Sequence, residues 1–395
     1  MSVRYRLASL TSRLLLLAAC AAAPATLNAQ SSIFGVRGLG LPGRPLTAAT
    51  RGTGGAFGLF DGESDLNPAA MAALENVTAS FALAPSWRKW EGPAGSANLR
   101  ETRFPLVFVG GPIPGSKVGI GISIGSYADR DFSLTTSDTI ALRGVPVGIS
   151  DTFNSRGGLN EIRLAAGVAL GARTTIGGGV YWITGSSRVD SRRAFSDSSY
   201  LSIRQTGELS YQGFGLSAGI LHQLSPSIQL AGLIRTDGKA TVDRDSARAY
   251  TVDLPWTIGA GVRLRASKRL SMAGQAVYRT WSGANSDLVA QGGLGARNTL
   301  ELNVGGEFTR KLRAPYKLPI RWGARYAQLP FSLLPGERAK EFSLSAGTGM
   351  RFAQARAAID LSLEQAWRSE GSLYKERALT LNFGLSIRPY GAGVR

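Results

Sequence analysis

The last part of the chain alternates between apolar and polar residues at every second position. In residues 379–387 the apolar side chains are leucine, phenylalanine and isoleucine, and the intervening side chains are small or polar. The same period recurs in residues 118–124, 256–264 and 359–363. Because successive side chains of a strand point to opposite faces of its sheet, this period predicts strands with one apolar face and one polar face.

Strands of this kind recur from residue 76 onward. We identify about fourteen segments, each near the roughly 9 to 11 residues with which a tilted strand crosses a bilayer. Short links such as residues 171–173 and 266–268 alternate with long polar links such as residues 128–158 and 281–297. Outer-membrane barrels have short turns at one end and long loops at the other. The pattern therefore predicts an all-β fold, a transmembrane antiparallel β-barrel of about fourteen strands with both termini at the short-turn end.

Most of the tryptophans fall at or near the ends of the predicted strands. A membrane interface favours an amphipathic ring, so this placement agrees with a barrel in a bilayer. Aromatic residues are also enriched in strands of every kind, which leaves a second explanation for any single position. The tryptophans so placed are Trp87, Trp182, Trp256, Trp281, Trp322 and Trp367.

The amino-terminal residues have the layout of a bacterial secretion signal. Three arginines within the first 13 residues supply a positive start, and a short apolar core follows them. We expect a signal peptide over residues 1–29, with cleavage after Ala29. The residues before Cys20 also match the site of lipoprotein signal peptidase, which would leave a lipidated cysteine. Both cleavage sites stay open.

Residues 30–75 are rich in glycine and differ from the strands that follow. We predict that they form a hatch, a plug inside the lumen, and that residues 76–395 form the barrel around it. Glycines at inward positions of the predicted strands would leave space for this hatch, since glycine permits a close approach of two backbones. These inward glycines are Gly119, Gly121, Gly125, Gly167, Gly259, Gly261, Gly305 and Gly323.

The corner formed by Asn67, Pro68 and Ala69 lies near the end of the predicted hatch. Pro68 restrains the preceding residue to an extended conformation and has no N–H, so the corner is suited to ending the hatch and turning the chain into the first strand. We therefore predict that these three residues are a structural pivot and not a ligand site.

The glycine-rich stretch resembles the amino-terminal hatch of the FadL/TodX family of outer-membrane transporters. The shared features are the Gly-Leu-Gly of residues 38–40, the Gly-Gly-Ala-Phe of 54–57, the acidic residues of 61–65 and the Asn-Pro-Ala corner of 67–69. Residues 320–387 also resemble the last strands of PorV-type barrels. The first resemblance implies a fourteen-stranded barrel, blocked by a hatch, that passes hydrophobic molecules such as long-chain fatty acids or aromatic hydrocarbons. The second implies a non-catalytic partner in protein secretion.

Residue types that carry catalysis or bind metals are scarce. The only histidine is His222 and the only cysteine is Cys20. His222 follows the outward phase of its strand, so we expect it at the lipid-facing rim of the short-turn end, where it has no nucleophile to activate. The sequence therefore predicts no enzyme, no metal site and no cofactor.

The chain is strongly basic, with a net charge of +18. Its basic residues are spread over turns, loops and alternate strand positions, which is not the clustered footprint of a nucleic-acid-binding protein. An exported basic chain meets anionic head groups instead. We therefore expect outer-membrane lipid and lipopolysaccharide as partners, and no nucleic acid.

Charged residues of both signs fall at inward positions of the predicted strands. On the lipid face each would cost about 2 to 4 kcal/mol near the midplane, so we expect these charges to pair inside the lumen. They are either structural ladders that hydrate the wall and hold the hatch, or a site for the head group of an amphipathic ligand, whose carboxylate would pair with Arg321 or Arg325. The candidates are Arg163, Arg263, Glu301, Glu307, Arg321, Arg325, Asp360 and Glu364.

These features together predict a barrel of the bacterial outer membrane. The function that we predict is passive uptake of hydrophobic or amphipathic small molecules, of the fatty acid or hydrocarbon class that the resemblance implies. The alternative is a non-catalytic barrel with a structural or protein-secretion accessory role, for which an envelope protein would be the partner.

Overall fold

The structure is a computed structural model. It describes the following parts of the chain: residues 32–64, 66–93, 95–311, 317–352 and 356–388. The expected signal peptide of residues 1–29, Cys20, Asp65 and the residues after Arg388 lie outside these parts.

Strands make up most of the described residues, and the helices are few and short. The strands are β1 (Leu41–Pro42), β2 (Thr78–Gly92), β3 (Gly95–Pro112), β4 (Val118–Asp129), β5 (Phe132–Leu142), β6 (Val145–Leu170), β7 (Thr174–Phe195), β8 (Ile203–Gln223), β9 (Ile228–Thr236), β10 (Lys239–Arg244), β11 (Ala247–Asp253), β12 (Trp256–Arg265), β13 (Leu270–Arg279), β14 (Thr299–Lys311), β15 (Lys317–Gln328), β16 (Lys340–Phe352), β17 (Ala357–Glu370) and β18 (Tyr374–Ile387). The helices are α1 (Ala48–Gly52), α2 (Asn285–Ala290) and the 3-10 helices Ile33–Gly35, Pro68–Ala73 and Trp281–Ala284. No helix in the described parts of the chain is long and apolar enough to span a membrane.

The strands form one closed antiparallel barrel. Neighbouring strands pair in chain order, and β18 returns to β2 to close the ring, with Lys375 opposite Glu91 and Ile387 opposite Ala79. Three strands of the barrel are interrupted, and each consists of two consecutive elements: β4 with β5, β9 with β10, and β11 with β12. Both parts of the first pair with β6, and both parts of the second pair with β8. In the third, β11 pairs with β10 and β12 pairs with β9. Counted in this way the barrel has 14 strands, which confirms the sequence prediction. The short β1 is an additional strand that pairs with β4.

Neighbouring residues of one strand differ sharply in exposure because they face opposite sides of the wall. In β6, Arg163 is 1% exposed and Leu164 is 58% exposed. The exposed large side chains are leucine, isoleucine, valine, methionine and aromatic residues, whereas serine, glutamate and arginine are prominent among the buried polar ones. Apolar residues outside and polar residues inside are the pattern of a membrane barrel, since only the outer face meets hydrocarbon chains.

The tryptophans near the strand ends fall into two classes. Exposed rings, as a membrane interface favours, belong to Trp87, Trp182, Trp256, Trp322 and Trp367. Trp281 is only 3% exposed, and its ring packs edge-on against Phe331 with the centroids 5.2 Å apart. The interface prediction is wrong for Trp281, because the link between β13 and β14 folds over the lumen and buries this ring.

Packed loops close the long-loop end of the barrel. Trp281 and Leu288 of the β13–β14 link and Phe331 of the β15–β16 link join one hydrophobic cluster. Val242 of β10 and Leu39 of the amino-terminal segment belong to the same cluster. Burial of this apolar surface stabilises the closed arrangement of the loops. The short-turn end has no comparable cap among the described residues.

Candidate functional site

Residues 32–64 and 66–75, called the inner segment below, lie inside the barrel. The 3-10 helix Pro68–Ala73 contacts β4, β6, β7 and β8, and α1 contacts β15 to β18. These two groups of strands lie on opposite sides of the barrel. The inner segment therefore crosses the lumen from wall to wall.

Glycines on the inward face of the wall allow this segment to approach closely. A Cβ atom added to Gly177 would lie 2.5 Å from the backbone nitrogen of Ala69, and one added to Gly167 would lie 2.8 Å from the carbonyl oxygen of Pro68. Backbone can pack on backbone here only because glycine has no side chain. Of the inward glycines that the alternation predicts, those against the inner segment are Gly119, Gly121, Gly167, Gly259, Gly261, Gly305 and Gly323.

Asn67 ties the 3-10 helix to both the inner segment and the wall. Its side-chain oxygen accepts a hydrogen bond from the Ala69 N–H at 3.1 Å, and its Nδ2 donates to the carbonyl oxygens of Leu59 at 3.0 Å and Ile220 at 3.4 Å. The residue is completely buried, and its backbone is extended, as a following proline requires. Because its polar atoms bond to the chain itself, these contacts support a structural role for the corner of Asn67, Pro68 and Ala69.

The barrel wall is interrupted between β3 and β4. The two strands pair only over residues 106–112 and 119–125, so the earlier residues of β3 have no partner on β4. Pro105 stands where the strands separate and has no N–H to offer to the ladder. Phe104 on β3 and Ile124 on β4 are 60% and 50% exposed beside the separation. The break therefore opens toward the apolar outer surface.

The inner segment covers this break from the lumen side. β1 pairs with Ala128 and Asp129 on the free edge of β4, and the Gly43 N–H donates to the Tyr127 carbonyl at 2.7 Å. A Cβ atom at Gly43 would collide with the Ser126 carbonyl, so only glycine permits this approach. Part of the glycine-rich motif is thus explained by contact with an unpaired strand edge.

Arginines and carboxylates fill the half of the lumen next to the long loops, and we call this group the outer network. Arg325 pairs with Glu301 at 2.9 Å and with Glu341, and Glu341 also accepts a hydrogen bond from Arg368 at 2.5 Å. Such charge-assisted bonds are stronger than neutral ones and set the geometry of their partners. The outer network consists of Arg44, Arg51, Arg88, Arg103, Arg279, Arg325 and Arg368 with Glu101, Asp129, Glu301, Glu341, Glu364 and Glu376.

Three of the predicted lumen residues belong to the outer network. Glu301 and Arg325 pair with each other on neighbouring strands. Glu364 on β17 pairs at 2.7 Å with Arg44, which belongs to the inner segment. The outer network therefore connects the inner segment to the wall as well as strand to strand.

A second group of predicted residues lies nearer the short turns. The Nε atom of Arg321 is 2.7 Å from a Glu307 oxygen, and its Nη1 atom is 2.5 Å from an Asp360 oxygen. These three side chains come from β15, β14 and β17. Arg321 is thus held by two carboxylates across the wall.

Arg163 and Arg263 are the two remaining predicted residues, and both contact the inner segment. Arg163 donates a hydrogen bond to the Ser64 carbonyl at 3.2 Å. The Arg263 guanidinium lies over the Phe57 ring, 5.3 Å from its centroid, which is a cation–π contact. All eight predicted positions thus face the lumen, but the structure divides them among several clusters.

The strand pattern predicts only part of the outer network. Arg88 and Arg368 each follow a tryptophan that faces outward, so strict alternation places both arginines inward. Both arginines lie beyond the segments of roughly 9 to 11 residues that the pattern predicts as membrane-crossing strands, so the prediction does not include them. Arg44 and Arg51 carry no such signal, because the inner segment has no regular period.

Another buried cluster stands on the opposite wall. Arg235 pairs with Glu161 and, at 2.5 Å, with Asp237. Its guanidinium lies 3.7 Å from the centroid of the Tyr181 ring, and Tyr127 donates to Asp237 at 3.0 Å. This cluster joins β9 to β4, β6 and β7 and stiffens the wall on that side.

Two cavities lie on opposite sides of the inner segment. The larger, called the inner vestibule, has a volume of about 510 Å³ and is lined by Phe57, Glu63, Arg263 and Arg321 among others toward the short turns. Its size falls within the range of small-molecule sites. The smaller cavity, of about 80 Å³, lies within the outer network and extends to Pro105 at the break in the wall.

Glu63 connects the inner segment to the end of the last strand. Its carboxylate pairs with Arg388 at 3.2 Å and accepts a hydrogen bond from Ser386 at 3.1 Å. Burial and the neighbouring Asp61 raise the pKa of Glu63, while Arg388 acts in the opposite direction. The side chain is therefore protonated more readily than an ordinary glutamate.

Glu101, Asp129 and Asp131 bring carboxylate oxygens within 4.8 Å of one another. Arg103 forms ion pairs with Glu101 and Asp129, so a guanidinium already balances the charge of two of them. This arrangement fits an arginine clamp across the break between β3 and β4 better than it fits a metal site.

His222 lies at the short-turn end of β8, with its Nδ1 atom 3.0 Å from the Thr174 hydroxyl. The preceding Leu221 packs in a cluster inside the lumen, so His222 faces outward, as its phase in the strand predicts. A histidine in this position has the surroundings of an interface residue, not those of a general base.

One family model, described as BamG, matches residues 12–231. No curated protein matches the chain. Solved structures with a similar fold include a Pseudomonas aeruginosa FadL homologue, at 13% identity and a TM-score of 0.63, over 88% of this chain and 99% of that one. The Pseudomonas putida toluene transporter TodX is similar at 13% identity and a TM-score of 0.55, over 89% of this chain and 99% of that one.

The monoaromatic hydrocarbon channel CymD is also similar, at 13% identity and a TM-score of 0.54, over 87% of this chain and 98% of that one. Identities this low show the fold alone. At that level the resemblance to the FadL/TodX family is confirmed.

Proposed function

The chain belongs to the BamG family, and we propose that it is a channel of the bacterial outer membrane for hydrophobic or amphipathic small molecules. The observation that carries this proposal is the break in the wall between β3 and β4, which leads from the lumen toward the lipid-facing surface. In this proposal residues 30–75 act as the hatch and residues 76–395 as the barrel. Outer-membrane lipid and lipopolysaccharide surround the apolar outer face.

A lateral opening suits a hydrophobic cargo. Apolar molecules are more stable among hydrocarbon chains than in water, so a route that ends in the bilayer is downhill for them and needs no energy input. Phe104 and Ile124 flank the break with apolar surface. Movement of β1 away from β4 would connect this surface with the lumen, and the transport would be passive.

The fold relatives support this class of cargo. Their names describe a toluene transporter and a monoaromatic hydrocarbon channel. An amphipathic cargo would place its head group on lumen residues. Arg321 would have to release Glu307 or Asp360 to bind a carboxylate. Arg263 also lines the inner vestibule, and it forms no ion pair with a carboxylate of the described chain.

A reversible disulfide between the inner segment and the wall tests the route. Pro42 lies opposite Ala128 in the β1–β4 pair, so Pro42→Cys with Ala128→Cys places two thiols together. We expect oxidation of this variant to reduce uptake of radiolabelled toluene by whole cells to the background level, and dithiothreitol to restore it. Heat-dependent gel mobility would verify that the barrel is assembled.

The matched control is a second disulfide away from the break. Thr135 and Thr152 are a pair on β5 and β6, with hydroxyl oxygens 3.3 Å apart. Oxidation of Thr135→Cys with Thr152→Cys should leave uptake unchanged. A locked β1–β4 pair that still takes up toluene at the unlocked rate would refute the lateral route.

A second function is favoured by the closure of the outer half of the lumen. The packed loops and the outer network together close the long-loop end. This closure suits a non-catalytic accessory barrel that supports an envelope protein. Affinity purification from envelopes in mild detergent would then yield a stoichiometric protein partner. The accessory function is rejected if the barrel purifies alone and the disulfide controls toluene uptake.

A further inference from the structure

We propose that Arg51 is the centre of a binding site for one small oxyanion of the phosphate class inside the outer network. The site lies in the half of the lumen next to the long loops, beside the break in the wall. It is independent of whether the barrel passes a hydrophobic cargo.

The outer network pairs its arginines with carboxylates, and Arg51 is the exception. Each of the other six arginines has a carboxylate oxygen within 4.0 Å, and these ion pairs engage all six carboxylates of the network. In the described chain Arg51 forms no ion pair. Its Nη2 atom donates to the Arg44 carbonyl oxygen at 2.6 Å, and the rest of the guanidinium has no acceptor there. Arg51 is therefore the one arginine of the outer network that no carboxylate of the described chain holds in an ion pair.

The Arg51 side chain is half-buried between the inner segment and the wall. Burial, and then the neighbouring Arg44, lower the pKa of Arg51 to about 10, while the Glu364 carboxylate acts in the opposite direction. The group remains protonated at neutral pH. A cation that is partly removed from water and forms no ion pair is unfavourable, so its surroundings favour a counter-anion.

A small cavity lies beside Arg51. Arginines outnumber carboxylates in the lining of the cavity of about 80 Å³. Seven arginines, among them Arg44, Arg51, Arg88 and Arg103, line it together with Glu301, Glu341 and Glu364. One water molecule needs roughly 10 to 15 Å³ of such volume, so the cavity has room for a compact anion of a few atoms but little room for an alkyl chain. The planar fork of a guanidinium matches two oxygens of a phosphate, and for this reason we favour an oxyanion over chloride.

An anion at this position would bridge the inner segment and the wall. Arg44 and Arg51 belong to the inner segment, whereas Arg88 and Arg103 belong to β2 and β3 of the wall. An oxyanion bridging these guanidinium groups would hold the inner segment against the wall beside the break. Bound anion should therefore stabilise the closed barrel, because a ligand that binds only the folded state raises its stability.

Inorganic phosphate is the probe for the test, with the full-length protein purified in detergent without phosphate. We expect equilibrium dialysis with radiolabelled phosphate to show one bound ion per chain, and saturating phosphate to raise the unfolding midpoint by about 2 to 4 °C. Sodium chloride at the same ionic strength should give no such rise.

Two variants of the inner segment provide the comparison. Arg51→Gln should lose phosphate binding, yet in phosphate-free buffer it should be at least as stable as the wild type, because it removes a charge that forms no ion pair. Arg37 is an exposed arginine of the same segment, and Arg37→Gln should bind phosphate normally. If Arg51→Gln fails to assemble, competition of sulfate with labelled phosphate on the wild type replaces it.

Four results would overturn the proposal. They are no phosphate bound in dialysis, equal binding by Arg51→Gln and the wild type, an equal rise with chloride, and binding of decanoate but not of phosphate. The last result would show that the cavity receives the head group of an amphiphile and not a free oxyanion.

Discussion

The two halves of the lumen are built differently although the same strands form both. Near the long loops the side chains are packed and paired, with a hydrophobic cap above the outer network. Near the short turns the inner vestibule has a volume of about 510 Å³, and Arg263 there contacts an aromatic ring and no carboxylate of the described chain. The inner segment lies between the two halves.

This difference indicates where the barrel resists passage. A molecule from the long-loop side would meet the hydrophobic cluster of the packed loops and then ion pairs that are costly to separate. From the short-turn side it would meet a roomy cavity with partly solvated charges. The structure therefore represents a closed barrel whose barrier lies in its outer half, and the break in the wall lies beside that barrier.

The largest effect should come from removing a carboxylate of the outer network. Glu341 is 4% exposed and binds both Arg325 and Arg368. Glu341→Ala leaves two buried cations with one partner fewer each, so we expect a loss of about 3 to 5 kcal/mol in the free energy of unfolding. Guanidinium unfolding of the barrel in detergent measures this loss.

The control for Glu341→Ala is a carboxylate from the inner half. The Asp360 side chain is 19% exposed, and Arg321 keeps Glu307 without it. Asp360→Ala should cost about 1 kcal/mol or less. Equal losses for the two variants would contradict the distinction between a sealed half and an open half.

An intermediate effect should come from the glycines that receive the inner segment. A Cβ atom at Gly177 would lie 2.5 Å from the Ala69 nitrogen, whereas one at the adjacent Gly178 would meet only the Ser217 carbonyl at 3.8 Å. Gly177→Ala should therefore cost about 1 to 3 kcal/mol through overpacking, and Gly178→Ala should be nearly neutral. If both variants unfold at the same denaturant concentration, the wall does not pack tightly against the inner segment at Gly177.

The smallest effect should come from the pivot. Asn67→Ala removes a cap and leaves the Leu59 carbonyl short of a donor, which should cost about 1 to 2 kcal/mol. We expect faster hydrogen exchange in residues 68–73 and a higher passive permeability. The exposed Asn160 on β6 provides a neutral control as Asn160→Ala. Unchanged exchange in the Asn67→Ala variant would show that the corner does not hold the inner segment.

Much of the barrel follows from the sequence because its signal is local. Alternation with a period of two assigns each side chain of a strand to a face, and it places Leu164 outside and Arg163 inside without knowledge of any partner. The number of alternating segments gives the strand count, and the alternation of short and long links indicates which end of the barrel carries the loops. Trp281 was misplaced because a loop that folds back over the lumen has no periodic signal.

The candidate site followed from the sequence only in part. Glu301, Arg325 and Glu364 were identified because they occupy inward positions of regular strands. Their partner Arg44, and the unpaired Arg51, belong to a segment in which no period indicates direction. The separation of β3 from β4 was missed as well, since Pro105 shows where a ladder bond is absent but not where the strand goes next.

The sequence by itself determined the class of fold, the two faces of the wall and the glycine positions that leave room for a segment in the lumen. The tertiary structure alone decided how the charges pair. Arg44 and Glu364 meet across 320 residues of chain, and β1 covers an edge of β4 that is free because β3 has diverged. The reason is physical: alternation is set by each strand's own geometry, whereas ion pairs and strand separations depend on residues far apart in the chain that only barrel closure brings together.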